Sequence, residues 1–373
     1  MESLGVSKSA SYGAGQVPFP TLPPPLIDAP TGQRKDSSAC GEMISDSLRT
    51  ADFDFELPEE LIASRPLERR DASRMMVVDV GKGEISHHHF REFGDFAQGS
   101  LVVLNNTRVA RARFFSDDGK IEMLRLEVRE PLLWRCMVKP GRKMRVGDGV
   151  VLGGARGVVE EILEPNGERL IRFDQPVDEV RHGHLALPHY MNRDDDALDV
   201  ERYQTVFADA GQERAIAAPT AGLHFTPELL ETVPHAFITL HVGVGTFQPV
   251  RADLLKDHVM HVESYEISPS AAATIQAAAQ VLAVGTTVAR VLEHSMAVHG
   301  GIQAEAGETG IFITPGFQFQ RVDSLLTNFH LPKSTLFMLV CAKAGREMML
   351  EAYRQAVRER YRFYSYGDCM LIL

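Results

Sequence analysis

Cysteine is scarce: the 373 residues contain four, Cys40, Cys136, Cys341 and Cys369, none in a C-x-x-C pair. That spacing argues against a zinc knuckle or a disulfide framework and fits a reducing compartment. Long apolar runs are missing too. A membrane helix needs about 18 apolar residues in succession, and the strongest stretch, TLFMLVCAKAG, is broken by Lys343 and Gly345. The start, MESLGVSKSASYG, has no apolar core of the signal-peptide kind; the expectation is a cytoplasmic protein with no membrane partner. Positive charge is in deficit, with a net charge of -11, which disfavours a polyanionic partner unless basic residues gather locally. No internal repeat is visible.

Three familiar catalytic or phosphate-binding signatures are also missing. In HVGVGTFQPV, Gly243 and Gly245 begin a G-x-G-x-x-G pattern, but Gln248 holds the third glycine's place, so the dinucleotide fingerprint fails. In LPKST, Pro332 replaces the glycine that precedes a P-loop lysine. No G-x-S-x-G elbow occurs, which leaves a hydrolase serine unsupported.

What is present is ordinary globular material, 44% hydrophobic and 24% charged, in a length that fits about two domains. Residues 1–50 are rich in Ser, Gly and Pro and read as a flexible tail; VPFPTLPPP is a solvated extension or, alternatively, an SH3-type ligand. FELPEELIASRP predicts a short helix to about Ser64, and MMVVDV-GKGE-EISHHHF a strand pair. Strand alternation keeps His87, His88 and His89 from converging on one ion. Residues 113–178 hold short strands joined by DDGK, KPGRK, VGDG and EPNGE turns, the pattern of a small β-barrel. Around it, residues 51–112 and 179–373 alternate strand-like runs (AFITLHV, VLAVGTT, GIFI) with helical ones (PELLETV, RADLLKDHV, PSAAATIQAAAQ, VARVLEHSM, REMMLEAYRQAVRERY). The expected fold is a mixed-sheet α/β main domain, discontinuous in sequence, with an inserted small β-barrel domain.

Reactive residues wrapped in Gly and Pro recur in LNNTRVARAR, APTAGLHF, HVGVGTFQPV, AVGTTVAR, TNFHLPKST and RFYSYGD. Several fall where a strand should give way to a helix, the place where open α/β sheets bind ligands. Rich in hydroxyls and histidine and poor in fixed charge, they suit a substrate with hydroxyls and a heterocycle. DHVMHVE offers His258 and His261 on one face if helical; they are a metal pair or polar, proton-handling residues.

These runs, in order from DFDFELPEELIASRPLERRDASR through GHLALPHYMNR and ERYQTVFA to RFYSYGDCMLIL, closely resemble the S-adenosylmethionine:tRNA ribosyltransferase-isomerase family of queuosine biosynthesis. The resemblance implies an α/β domain carrying an inserted β-barrel, and an enzyme without metal or prosthetic group, S-adenosylmethionine being a co-substrate. It would transfer the ribosyl part of S-adenosylmethionine to 7-aminomethyl-7-deazaguanine at the tRNA wobble position and isomerise it to epoxyqueuosine, releasing adenine and methionine. A monomer with no obligate protein partner is implied. Such chemistry needs a base for the proton beside the sulfonium, a donor for departing adenine and groups for the ribose hydroxyls.

On that footing His224, His241, Asp368 and Glu263 are the candidate catalytic groups. Thr220, Gly222, Gly243, Gly245, Thr246, Thr286, Thr287, Arg290 and His330 are the candidate S-adenosylmethionine contacts. Arg108, Arg111, Arg113 and Lys333 are candidate tRNA contacts or members of a salt-bridged surface, with Arg111 and Arg113 on one strand face. The rival functions are a non-catalytic tRNA-binding paralogue and a metal-dependent hydrolase built on His258 and His261. Departures from the family pattern at Asp118, Gly310, Lys343 and ETVPHAF touch loops and packing rather than these residues.

Overall fold

A computed structural model describes residues 48–243, 245, 250 and 252–373. In chain order, a hairpin (β1, Arg74–Asp79; β2, Glu84–His89) leads through α1 (Phe93–Phe96) to β3 (Leu101–Asn105) and β4 (Arg108–Val109). Six strands follow: β5 (Arg113–Phe115), β6 (Glu122–Glu130), β7 (Leu133–Lys139), β8 (Gly149–Leu152), β9 (Ala155–Leu163) and β10 (Glu168–Phe173). Then come α2 (Glu179–His182), α3 (Ala197–Arg202), β11 (Glu213–Ala215), α4 (Pro227–Glu231), β12 (His235–Leu240), β13 (Glu263–Ile267), α5 (Pro269–Ala277) and β14 (Val281–Val284). The remainder is α6 (Thr286–His299), β15 (Glu305–Thr309), β16 (Ser324–Asn328), α7 (Thr335–Ala344), α8 (Arg346–Arg358) and β17 (Cys369–Ile372).

Among the described residues the large sheet has nine strands in the order β15-β13-β12-β3-β14-β16-β17-β1-β2. Its centre is parallel, β12 to β3 to β14 to β16, and its remaining pairings are antiparallel except β17 with β1. The central strands are apolar on both faces, as strands covered on both sides must be. Odd and even positions go to different cores: Val103, Ala283, Leu325 and Ile372 pack with residues of α5 to α8. Val102, Leu104, Leu282, Leu326 and Leu371 pack on Phe90, Phe93 and Phe225 across the sheet. Thr226 and Ser268 cap α4 and α5 through their hydroxyls, each followed by proline at the first turn, as the sequence predicts.

The second sheet runs β5-β6-β7-β10-β9-β8. It nearly closes on itself: Asp117 N, just beyond β5, donates to Val151 O on β8 at 2.9 Å. Phe114, Trp134, Ile171 and Phe173 fill its interior. Where the chain enters and leaves this sheet, Arg113 and His184 exchange backbone hydrogen bonds of 3.0 and 2.8 Å. The fold is thus the mixed α/β arrangement with a barrel-like six-stranded sheet that the sequence predicts.

Three expectations fail locally, two of them because distant backbone competes for the same hydrogen bonds. FELPEELIASRP forms only a 3-10 turn at Glu59–Leu61, since Ala63 N donates to Phe363 O at 3.1 Å and the chain runs extended there. RADLLKDHV keeps one such turn, Leu255–Asp257; its backbone pairs instead with residues 48–50, Thr50 N reaching Asp253 O at 2.9 Å. The apolar run GIFI is not a strand; β15 lies just before it, against β13. Lys343, one of the departures, bends its ammonium to Val322 O at 2.6 Å and to the Phe319 ring, which satisfies a charge placed among apolar side chains.

Candidate functional site

The four parallel strands end on one edge of the large sheet, where ligands of α/β folds sit, and a cavity of about 220 Å³ opens there. Residues just past the strand ends line it: Val242 after β12, Gly285, Thr286 and Thr287 after β14, and Phe329 and His330 after β16. Gly285 has φ 95° and ψ 149°, a conformation open in practice to glycine alone. It turns the chain sharply from β14 into α6, so that Thr286 and Thr287 in the first helical turn reach the cavity.

Aromatic and hydroxyl groups form the outer wall. Tyr190 stacks on Tyr364 with ring centroids 3.8 Å apart, and Ser365 N donates to the Tyr190 hydroxyl at 3.2 Å. Tyr364 itself sits at φ 73°, held there by Tyr364 N to Phe329 O at 3.1 Å and Gly367 N to Tyr364 O at 2.8 Å. A non-glycine residue in that region is strained, and such strain concentrates at functional sites. Among the described lining residues there is no Asp, Glu, Lys or Arg. The cavity can therefore hold an uncharged heterocycle against apolar and aromatic surface while presenting hydroxyls to a sugar.

Two buried histidines flank it. His330 Nε2 hydrogen-bonds Thr327 Oγ1 at 2.8 Å, and burial lowers its pKa to about 3. His224 bridges Ser73 Oγ at 2.9 Å and Asn328 Oδ1 at 3.1 Å, and burial lowers its pKa to about 4. Both imidazoles are neutral at pH 7. Asn328 lines the cavity and passes its amide on to Tyr364 O at 2.8 Å, so His224 is connected to the site through one side chain.

The sequence-predicted residues divide. Thr220, Thr286, Thr287 and His330 line the cavity together. His241 stands at its edge, next to Val242, but its Nδ1 is bonded to Thr107 Oγ1 at 2.9 Å. Asp368 is 1% exposed and spends its two oxygens on Arg74 N and Arg362 N, at 2.9 and 2.8 Å. Glu263 and Arg290 form a buried ion pair, and Glu263 Oε1 also accepts from Gly243 N at 3.2 Å. These two carboxylates brace backbone rather than face the cavity.

Gly222 is glycine because a Cβ would come within 2.8 Å of the Phe207 ring, and Gly245 because one would meet His261 at 2.2 Å. Nothing lies within 4 Å of a Cβ at Gly243. Thr246 lies outside the described residues. His258 and His261 are not on a helix, which removes the shared face of the metal reading, and no group of three or more His, Cys, Asp or Glu is placed to hold a metal ion among the described residues.

The four basic residues are tied to neighbours. Arg108 pairs with Glu213 at 3.3 Å, Lys333 with Asp54 at 2.7 Å, and Arg113 with Glu122 and Asp194, both at 2.7 Å. Arg111 does not share a strand face with Arg113, because residues 110–112 leave the strand; it donates to Val180 O at 3.0 Å instead.

Residues 50–372 match the family model described as "Queuosine biosynthesis protein". The S-adenosylmethionine:tRNA ribosyltransferase-isomerase of Desulfitobacterium hafniense is 46% identical over 348 residues, which cover 87% of this chain and all of that protein. Its namesake in Geobacter metallireducens is 47% identical over 347 residues, with the same coverage. The chain belongs to the S-adenosylmethionine:tRNA ribosyltransferase-isomerase family. A solved structure of S-adenosylmethionine tRNA ribosyltransferase from Thermotoga maritima is 36% identical, with a TM-score of 0.49, covering 86% of this chain and 100% of its own.

In this ribosyltransferase-isomerase family member the sequence reading missed Tyr190, Gly285, Asn328, Tyr364 and Ser365, all of which line the cavity. Each sits inside a run that carried the resemblance, GHLALPHYMNR, AVGTTVAR, TNFHLPKST or RFYSYGD. Titratable residues drew the choice; an aromatic stack and an amide relay carry no charge to draw attention.

Proposed function

We propose that this protein transfers the ribosyl moiety of S-adenosylmethionine to 7-aminomethyl-7-deazaguanine at the wobble position of tRNA and isomerises it to epoxyqueuosine, with adenine and methionine as the released products. The observation that carries the reading is the match across residues 50–372 to a single family, with relatives aligned over their full length. The cavity supports it chemically. Its Tyr190–Tyr364 stack offers aromatic faces to a sulfonium or an adenine, and Thr220, Thr286 and Thr287 offer hydroxyls to ribose.

His330 is the imidazole at the cavity wall and is our choice for proton handling. Neutral at pH 7 and a weak base at a pKa of about 3, it handles the proton as a hydrogen-bond donor, its imidazole N–H offered to a departing base. Asn328 transmits the hydrogen-bonding state of His224, which we assign a positioning role. Enclosure by Leu331, Pro332 and Leu336 would keep water from open-sugar intermediates. The protein works, in this proposal, as a cytoplasmic monomer with S-adenosylmethionine as co-substrate and no metal or prosthetic group.

The test is incubation with S-adenosylmethionine and tRNA bearing the aminomethyl base, following free adenine and the modified nucleoside. No adenine above background, with binding of both substrates verified, would refute the proposal and leave a non-catalytic tRNA-binding paralogue. Activity abolished by chelators would favour the metal-dependent hydrolase.

A further inference from the structure

Beside the main cavity, and sharing Ser365 with it, lies a cleft of about 20 Å³ lined by Arg70, Arg202, Ser73, His224 and Gly367 among others. Arg69, at its rim, pairs with Asp71 at 2.8 Å, but Arg70 and Arg202 have no carboxylate within salt-bridge distance among the described residues. Arg70 Nη1 donates to Leu223 O at 3.0 Å and Nη2 to Glu201 O at 3.3 Å. Arg202 donates to Glu68 O at 3.0 Å and Leu67 O at 2.9 Å. Arg362, outside the cleft's lining but close enough for its charge to bear on His224 as that of Arg70 does, donates from Nη2 to Arg65 O. Arg202 Nε and Arg362 Nη1 are buried with no hydrogen-bond partner among the described residues.

Such a grouping is costly as it stands. Backbone carbonyls satisfy donors but do not neutralise charge, and an unmet buried guanidinium donor is destabilising. Burial lowers the pKa of both Arg70 and Arg362, and Arg202 adds to the effect at Arg70. Glu201 and Asp368 offset this only in part: Asp368 turns its oxygens to Arg74 N and Arg362 N, Asp199 is bonded to Arg193 and the Tyr366 hydroxyl, and burial still prevails at Arg70 and Arg362. The runs that supply Arg70 and Arg202, PLERRDASR and ERYQTVFA, are among those that carried the family resemblance, yet the cavity uses neither.

We infer that this cleft is an oxyanion site in which Arg70 and Arg202 hold one negatively charged oxygen group of a substrate lying in the adjoining cavity. The inference rests on the proposed function for the identity of the substrates. The space admits the oxygens of one such group but not a ring, for a single water needs about 10–15 Å³. Two sources share the chemistry: a backbone phosphate of the tRNA next to the target nucleotide, and the carboxylate at the methionine end of S-adenosylmethionine. Planar guanidinium forks match both.

The experiment compares wild type with Arg70→Gln and Arg202→Gln in three measurements: affinity for an anticodon stem-loop RNA over a range of salt, affinity for S-adenosylmethionine, and melting temperature in millimolar inorganic phosphate at constant ionic strength. A phosphate contact predicts RNA affinity reduced about tenfold, with a salt slope shallower by about one, and S-adenosylmethionine affinity unchanged. A carboxylate contact predicts the reverse, about tenfold weaker S-adenosylmethionine and unaltered RNA binding. Folded variants that bind both substrates like wild type would overturn the inference. Should a Gln variant fail to fold, Arg202→Lys, which keeps the charge but not the fork, is judged by the same two affinities. If wild type binds neither substrate, the proposed function falls by itself. The cleft is then decided by phosphate: a melting temperature raised in wild type but not in the variants supports an oxyanion site, and no rise overturns it.

Discussion

Glu263 was a candidate base, and its place in the structure makes a different prediction. Its side chain is 4% exposed and that of Arg290 6%; besides this pair, Glu263 accepts from Gly243 N, and Arg290 donates to Ile311 O at 3.2 Å. Glu263→Ala therefore leaves a guanidinium buried without its counter-charge, a loss of about 3–5 kcal/mol. Glu263→Gln keeps the shape but offers one acceptor oxygen where Glu263 uses two, setting its NH2 against either Gly243 N or Arg290 Nη1; with part of the contacts kept it should cost less, about 1.5–3 kcal/mol. Replacing both partners by apolar side chains of similar volume should recover most of the loss, because desolvation of the pair offsets much of its attraction. Urea unfolding of the Glu263 variants, of an apolar replacement of Arg290 alone and of the double replacement reads these numbers, and the double-mutant cycle isolates the coupling. Since Gly243 directly follows Val242, which lines the cavity, Glu263→Gln should also weaken S-adenosylmethionine binding, raising KM more than it lowers kcat. The reasoning is refuted if Glu263→Gln is as stable as wild type and binds S-adenosylmethionine equally well but turns over at least about tenfold more slowly; Glu263 would then take part in the chemistry.

Three other outcomes are expected. His224 has a folded pKa of about 4 against an unfolded value near 6.5, so the unfolded chain binds protons first as pH falls. Its contribution is whole above about pH 6.5 and lost progressively down to about 4, about 3 kcal/mol in all; the urea midpoint of wild type should drop over that window more than that of His224→Gln, and parallel curves would contradict it. Gly285→Ala has room for its methyl, 3.4 Å from Thr287 Oγ1, but not for its backbone angles. It should lose about 1–3 kcal/mol in urea and weaken S-adenosylmethionine binding, and a variant as stable as wild type would remove the structural reason for that glycine. Tyr190→Leu removes the stack on Tyr364 and should cost about 1 kcal/mol of S-adenosylmethionine affinity, roughly fivefold by calorimetry, with RNA affinity retained.

Much of the architecture was legible because it rests on local signals. Strand alternation, Thr226-Pro227 and Ser268-Pro269 starts, and turn-rich spacing in residues 113–178 act within a few residues, and the structure follows them. The two missing helices share one physical origin. The run after Arg251 carries apolar residues, but Val259 and Val262 stay 84% and 60% exposed, because pairing with residues 48–50 outcompeted a helix that would have buried them. The site divides the same way. Hydroxyls that follow strand ends, Thr286 and Thr287, could be placed by pattern; Asp368, Glu263 and Arg108 could not, since a carboxylate or guanidinium is defined by its partner, and their partners lie far along the chain. Tyr190 reaches Tyr364 and Ser365 across 175 positions, which no window of sequence reveals.

The place of β17 has a kinetic consequence. It lies between β16 and β1, so the β1–β2 hairpin joins the sheet only through residues 369–372, with Arg74 N and Asp368 Oδ1 meeting over a separation of 294 positions. Contacts so remote close a large loop before they are rewarded, which makes them late and slow. The hairpin emerges from the ribosome early yet must wait for nearly the whole remaining chain, with Met75, Met76, Val77 and Val78 uncovered meanwhile. Tyr364 and Ser365, in the loop leading into β17, can settle only then. A chain halted before residue 369 would thus lack both a completed sheet and one wall of its cavity, and a half-made molecule would have no means of binding its nucleoside.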